Sequence, residues 1–285
     1  MVIRPWGMKI WEGIQKHFNL VFEEKGVENV YLPSLIPLSF FSQEAEHVEG
    51  FAPECAVVTH HRLKKSPSSG TLEPDPTSKL ADPCVVRPTS ETLFWQMMSK
   101  WISSHTQLPL KLNQWTNIVR WERRTRPFLR TSEFLWQEGH TAHASGEEAL
   151  GFADEMVGEY QKGVEELLAI PTIRGIKSER ERFAGAEETF TIEAMMQNGF
   201  ALQSGTSHYL GQKFAAAHST SFTTSFGEKQ LCHGTSWGIS TRLLGALVMV
   251  HGDDLGLVLP PSIAPIQIRI IPIFKVSLFF IEIHF

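Results

Sequence analysis

Trp6, Ile10, Ile14, Phe18 and Val21 recur at three- to four-residue spacing, which predicts an amphipathic helix that Gly26 can stop in a left-handed conformation. A short strand, Val27 to Leu32, is expected next. Phe51 to Asp82 is rich in Pro, Ser and Gly, contains SPSSGTLEPDPTS, and reads as a mobile surface loop in which Lys64 and Lys65 are simply solvated. Thr89 or Ser90 can cap a helix with Leu93, Met97, Met98 and Trp101 on its apolar face, and Pro109 lies beyond its end. From Lys111 the pattern becomes extended: LNQWTNIVRWE, a charged turn ERRTRPF, and LRTSEFLWQEGH, together a β-hairpin. A long helix, Glu147 to Ala169, carries Leu150, Met156, Val157, Tyr160, Val164 and Leu167 on or near one face. Strands are expected at Thr189 to Ile192, Phe200 to Gln203 and Gln230 to His233, then a helix from Ile239 to Val250 and a strand from Leu255 to Leu259 before Pro260-Pro261. No internal repeat is visible. Irregular alternation with hairpin connections predicts an α+β fold, an antiparallel sheet with helices packed around it.

Composition narrows the picture without naming a function. The 285 residues, 42% hydrophobic and 20% charged, suffice for one large domain with room for part of a second, and exclude bulk disorder. With 26 Lys plus Arg against 31 Asp plus Glu, net charge −5, any nucleic-acid partner requires a local basic patch. Cys55, Cys84 and Cys232 form no C-x-x-C pair, which suits reduced thiols in a cytoplasmic setting. The opening MVIRPWGMKIW has no apolar signal core, and the apolar stretch Ile263 to Phe285 is broken by Pro265, Arg269, Pro272, Lys275 and Glu282. No membrane anchor is expected.

The hairpin carries the candidate chemistry. Residues two apart on a strand share a face, so Arg120 with Glu122, and Phe134, Trp136, Glu138 and His140, are expected around one concave surface. An exposed amphipathic hairpin is the plainer alternative. Arg120, Arg123, Arg124, Arg126 and Arg130 crowd the turn, suited either to phosphate oxygens or to ordinary solvation. Ser204 to His208 and Ser236 to Arg242 add small residues beside donors, and neither G-x-x-x-x-G-K-[ST] nor G-x-G-x-x-G occurs. Among twelve histidines, His60-His61 and His140-x-x-His143 lack a third convergent ligand, and Cys232 beside His233 reads as an inert thiol.

These residues bring a family into view. RPTSET (Arg87 to Thr92), IVRWE (Ile118 to Glu122), PFLRTSEFLWQEGHTAH (Pro127 to His143), GTSHYLGQ (Gly205 to Gln212) and MVHGDDLGLVLPP (Met249 to Pro261) resemble the signatures of prolyl-tRNA synthetases of the eukaryotic and archaeal form, class II aminoacyl-tRNA synthetases. The resemblance runs from Arg4 to about Phe274. It implies the class II fold, an antiparallel sheet of six or seven strands flanked by helices, with residues 1–262 as catalytic domain and 263–285 as the truncated start of an anticodon-binding domain with a divergent tail. The first helix and the strand ending at Pro33 would be motif 1 and a homodimer interface, the hairpin motif 2, and the helix of Arg242 motif 3.

The implied activity is ligation of proline to tRNA(Pro) through a prolyl-adenylate, with ATP as substrate, Mg²⁺ held mostly by ATP's own oxygens, and no structural zinc. Arg120 and Arg242 would be the catalytic arginines, Arg120 bridging the proline carboxylate and the α-phosphate. Glu122 would read the adenine amino group, Phe134 stack on the purine, and Arg130 and Thr131 hold phosphates. Gln203, Thr206 and Ser240 would complete the nucleotide site, Gln203 on the metal side. Thr89 and Glu91 match the T-x-E motif that receives the secondary ammonium, and Trp136, Glu138, His140, Phe183, His208, Trp237 and Gly238 would wall the pyrrolidine ring. Arg120 and Arg242 are 122 positions apart, too close to enclose a large editing insertion. Departures from the family pattern are small: Ala186 in FAGA, Thr235 before Ser-Trp-Gly, Ser240, a shorter hairpin turn and a longer SPSSGTLEPDPTS region. An inactive or partial paralogue acting as a binding module is the competing expectation.

Overall fold

Pro5 opens α1 (Pro5–Glu24) at the turn where a missing N–H is harmless, and Gly26, at φ +69°, lets the chain leave it. The computed structural model describes residues 1–41 and 54–273. After α1 come β1 (Glu28–Asn29), α2 (Glu91–Trp101), β2 (Leu110–Val119) and β3 (Glu133–His143). Then follow α3 (Gly146–Leu168), β4 (Thr172–Ile176), β5 (Glu188–Met195), β6 (Ala201–Gly211), β7 (His233–Ser240) and α4 (Arg242–His251). Among the described residues the main sheet has seven strands in the order β1-β2-β3-β7-β6-β5-β4, antiparallel except for the parallel β1–β2 pair.

One face of the sheet packs on α1, α3 and α4, through residues such as Ile14, Phe18, Met156, Tyr160, Trp237 and Leu243. A second core forms beside α2, from Phe94, Trp95, Met98, Leu112, Leu210 and Phe214. Ile10, Ile14 and Phe18 of α1 are buried as expected, but the stripe is wider: Trp11 and Phe22 join it, and Trp6 is 54% exposed. The reason is that α1 serves two neighbours, with Trp11 edge-on to Trp115 of β2 and Phe18 edge-on to Tyr160 of α3, both at 5.5 Å. A buried polar chain follows the same path. The Tyr160 hydroxyl donates to Gln137, whose Nε2 donates to Asn113 at 2.8 Å, and Asn113 Nδ2 donates to Asn29 at 2.7 Å, so these interior polar groups are satisfied.

Three expectations change. Residues 54–82 are not an open loop: Val57–His60, Leu63–Lys65, Leu72–Pro74 and the start of Lys79–Val86 are strands, while residues 51–53 lie outside the described residues. The Ser, Gly and Pro residues there are turn punctuation, with Gly70 at φ +69° and Asp75 accepting from Thr77 N at 3.0 Å and Arg62 Nε at 2.9 Å; Lys64 and Lys65 are exposed as expected. Residues 233–240 are one strand, so α4 begins at Arg242 and not at Ile239. Ile239 and Ser240 continue the pairing with Gln137 and Trp136 of β3, which keeps them in the sheet. Beyond Ile263 no strand forms among the described residues; Ile268 and Ile270 are 83% and 84% exposed, and the divergent end at 274–285 lies outside them. No helix among the described residues is long and apolar enough to cross a membrane.

His143, at the end of β3, supplies a stability test. It is fully buried, bonded to Thr141 Oγ1 at 2.8 Å, and burial pulls its pKa from 6.5 to about 4, against the opposing pull of Glu148. Between those values the unfolded chain binds the extra proton, so stability is held above pH 6.5 and lost as pH falls through about 4. His143→Gln is expected to flatten the slope of unfolding free energy in this window by up to about 1.4 kcal/mol per pH unit, measured by urea denaturation. An unchanged slope would refute the assignment.

Candidate active site

Strand register builds one chemical surface from five strands. Gln114 of β2 stands opposite Glu138 of β3, Glu138 opposite Gly238 of β7, and Gly238 opposite Thr206 of β6. The adjoining row sets His140 against Ser236, Ser236 against His208, and His208 against Thr189 of β5. Trp136 pairs with Ser240 in the row on the other side. These residues share one face of the pleat and, all but Gln114, line a cavity of about 220 Å³ together with Thr89 and Glu91 at the start of α2.

Arg120 enters this cavity just past the end of β2. Its Nε donates to the Pro88 carbonyl at 3.0 Å, and its guanidinium carbon lies 5.7 Å from the Phe134 ring centroid and 5.5 Å from that of Trp136. Burial pulls its pKa down to about 10, opposed by Glu91 and Glu138, so it is still a cation at neutral pH. Arg242 arrives from the first turn of α4, where Nε donates to the Leu129 carbonyl at 3.1 Å and the backbone N–H donates to Ser240 Oγ at 3.2 Å. Burial, then Arg130, lowers its pKa as well. Two desolvated guanidinium groups thus face one cleft, an arrangement suited to spreading negative charge.

The other end of the cavity is lined by the carboxylates Glu91 and Glu138. Thr89 donates its hydroxyl proton to Glu91, and both residues are buried. His208 Nδ1 shares a hydrogen bond with Thr189 Oγ1 at 3.0 Å, and its ring stacks on Phe183 with centroids 4.6 Å apart. Burial, then Lys177, pulls its pKa to about 3, which leaves an uncharged imidazole. His140 stacks on Phe94 with centroids 4.0 Å apart.

Most residues singled out in the sequence meet at this cavity: Arg120, Phe134, Gln203, Thr206, Ser240 and Arg242, and on the other side Thr89, Glu91, Trp136, Glu138, His140, Phe183, His208 and Gly238. Glu122, Arg130 and Thr131 do not line it. β2 ends at Val119 and the chain turns, with Glu122 N–H bonded to the Arg120 carbonyl at 2.7 Å, so strand alternation no longer places Glu122 beside Arg120. Arg130 lies 3.8 Å from Glu122 with its side chain 63% exposed, and the Thr131 hydroxyl is committed to the Glu133 carbonyl at 2.9 Å. Trp237 borders the cavity, yet its ring packs against Phe152 and Phe22 in the opposite core, at 5.4 and 6.4 Å. The Gln203 side-chain oxygen accepts from Lys177 Nζ, a cation where a metal was expected. Among the described residues no group of three or more His, Cys, Asp or Glu could hold a metal ion.

Lys177, Glu181 and Thr189 line the cavity without a signal in the sequence, and Ser204 and Ser236, which head the two segments of small residues beside donors, line it too. Ser236 had a legible signal: had residues 233–240 been read as one strand, its parity with Gly238 and Ser240 would have placed it. Lys177 and Glu181 come from the connection after edge strand β4, whose position depends on tertiary pairing alone.

Comparisons with known proteins agree with this geometry. Residues 75–251 match the family described as tRNA synthetase class II core domain (G, H, P, S and T). The chain is 57% identical over 275 residues to a proline–tRNA ligase of Porphyromonas gingivalis strain W83, covering 96% of this chain and 56% of that protein. It is 55% identical over 277 residues to one of Cytophaga hutchinsonii, covering 97% and 56%. The chain therefore spans little more than half the length of these relatives. A crystal structure of prolyl-tRNA synthetase from Cryptosporidium parvum with L-proline and AMP superposes with a TM-score of 0.82 at 43% identity, over 93% of this chain and 50% of that one. The same enzyme with halofuginone and AMPPNP gives 0.83 at 45%, with the same coverage.

Proposed function

The chain belongs to the class II tRNA synthetase core-domain family that serves G, H, P, S and T, and on that premise we propose that it activates proline with ATP and passes the prolyl group to tRNA(Pro). The observation that carries this reading is the cavity itself, with desolvated Arg120 and Arg242 at one end and the Thr89–Glu91 pair at the other. The relative solved with L-proline and AMP supports it.

In the first step a proline carboxylate oxygen attacks the α-phosphorus of ATP, and the bond to the bridging oxygen breaks, releasing pyrophosphate with its electron pair. Arg120 bridges carboxylate and α-phosphate where negative charge accumulates, and Arg242 steadies the nucleotide from the opposite side. Phe134 offers a ring to the purine; Thr206, Ser240 and Gln203 line the same end. Glu91 receives the ammonium, Trp136 and Phe183 supply apolar surface, and neutral His208 adds no competing charge. In the second step a hydroxyl at the tRNA 3′ end attacks the acyl carbon and AMP leaves, without a covalent enzyme intermediate. Mg²⁺ enters as part of the ATP substrate. Gln203, already bonded to Lys177, contributes no metal ligand to this scheme.

Residues 1–262 act as the catalytic unit in this reading, as a cytoplasmic homodimer. Tyr31, Leu35 and Leu38, exposed at 76%, 45% and 41% after β1, support the segment as the dimer face. The decisive assay is ATP–pyrophosphate exchange with each of glycine, histidine, proline, serine and threonine. Proline alone is expected to support exchange; a signal with another of the five instead, or none from folded protein, would refute the proposal.

A further inference from the structure

Glu138 lines the cavity, but both its oxygens are already engaged from below. Oε1 accepts from Ser90 Oγ at 2.5 Å and from Gln114 Nε2 at 2.6 Å, and Oε2 accepts from Ser90 N–H at 3.2 Å and faces His140 Nε2 at 3.1 Å. Gln114 ties this group further: Nε2 also reaches Ser90 Oγ at 3.0 Å, and its oxygen accepts from Leu32 N–H at 3.1 Å. Gln114, Glu138, Ser90 and His140 are all 2% exposed or less. Ser90 is the residue between Thr89 and Glu91. A carboxylate oxygen can only accept, so the proton in the contact with His140 resides on Nε2; in the neutral imidazole Nδ1 is then the acceptor. That Nδ1 is buried and has no hydrogen-bond partner among the described residues.

We propose that Gln114 is a positioning residue: acting through Glu138, it fixes the Thr89–Glu91 turn and holds His140 with Nδ1 as acceptor, so that the ammonium end of the cavity is assembled before an amino acid enters. The inference rests on reading the cavity as a proline site. Glu138 is thereby an anchor beneath the subsite, and the acceptors offered to the two N–H groups of a secondary ammonium are Glu91 and His140. Leu32 is drawn in because its N–H completes the coordination of Gln114, which couples the segment after β1 to the subsite.

Two variants test this by pyrophosphate exchange, with KM for proline, KM for ATP and kcat measured from about pH 5 to about pH 8. Gln114→Leu leaves a buried carboxylate short of a donor and is expected to raise KM for proline by roughly tenfold while KM for ATP stays within about twofold. Gln114→Glu places a second carboxyl against Glu138, where the charged neighbours are Arg87 and Arg120 and the His140 imidazole faces the same carboxylate. One proton shared by the two carboxyls restores the bond. KM for proline should therefore approach the unaltered enzyme's value at the acid end and climb as that proton is lost. This second variant also decides the matter if Gln114→Leu fails to fold. A purely structural role would lower kcat or move both KM values together, without pH rescue, and either outcome overturns the proposal. Absence of proline-dependent exchange in the unaltered protein would instead strike the functional reading beneath it, and this inference with it.

Discussion

Replacement of Arg120 by alanine lowers kcat for proline-dependent pyrophosphate exchange by about 10³-fold, roughly 4 kcal/mol of transition-state stabilisation. The magnitude follows from where the guanidinium is held. Its Nε is spent on the Pro88 carbonyl, its plane lies near two aromatic rings, and burial has already stripped away much of its water, as the pKa of about 10 records. A cation prepared in this way needs little reorganisation when charge develops on the phosphorus. Arg120→Lys should recover only a small part of the loss, because a single ammonium cannot address two anions in the plane that a guanidinium fork defines. A drop below about tenfold for Arg120→Ala would show that the arginine serves binding or folding and not the activation step.

Trp237→Ala should cost about 3–5 kcal/mol of stability, a fall in Tm on the order of ten degrees, and yet leave KM for proline within about twofold in the folded enzyme. The indole is 1% exposed and lies over Gly139 so closely that a Cβ built there would stand 2.1 Å from two of its ring carbons. Gly139→Ala should therefore also destabilise, by about 1–3 kcal/mol through overpacking. The two changes are not additive: once the indole is gone the added methyl has room, and the double variant should be no less stable than Trp237→Ala alone. Calorimetry of the four proteins checks the cycle. A large proline KM effect in Trp237→Ala would return the ring to the substrate side.

Much of this architecture was legible in the chain. The β2–β3 hairpin announced itself because aromatic, charged and apolar residues alternate without interruption through LNQWTNIVRWE and SEFLWQEGH. Parity along β3 correctly grouped Phe134, Trp136, Glu138 and His140. Parity failed at Glu122, where a turn replaces the strand; Trp237 was assigned on the resemblance and not on parity, and its ring packs in the core. Gln114 was invisible for a different reason. Its neighbours Leu32, Ser90 and Glu138 are 82, 24 and 24 residues away, and nothing local distinguishes a glutamine that closes a network from one that faces water. The region after Cys55 misled because Ser, Gly and Pro punctuate tight hairpins as readily as they fill loops.

The pleat of β7 carries a consequence for how such a protein can change over generations. All five residues from Ser236 to Ser240 border the cavity, but only Trp237 and Ile239 also belong to the core beneath it. Tolerance to substitution should therefore oscillate with a period of two residues, alternate positions answering to chemistry and to cohesion. A single insertion would exchange the two sets. Lineages can accordingly refine what the cleft accepts by point replacement at every second site, whereas changes of length within this strand are closed to them.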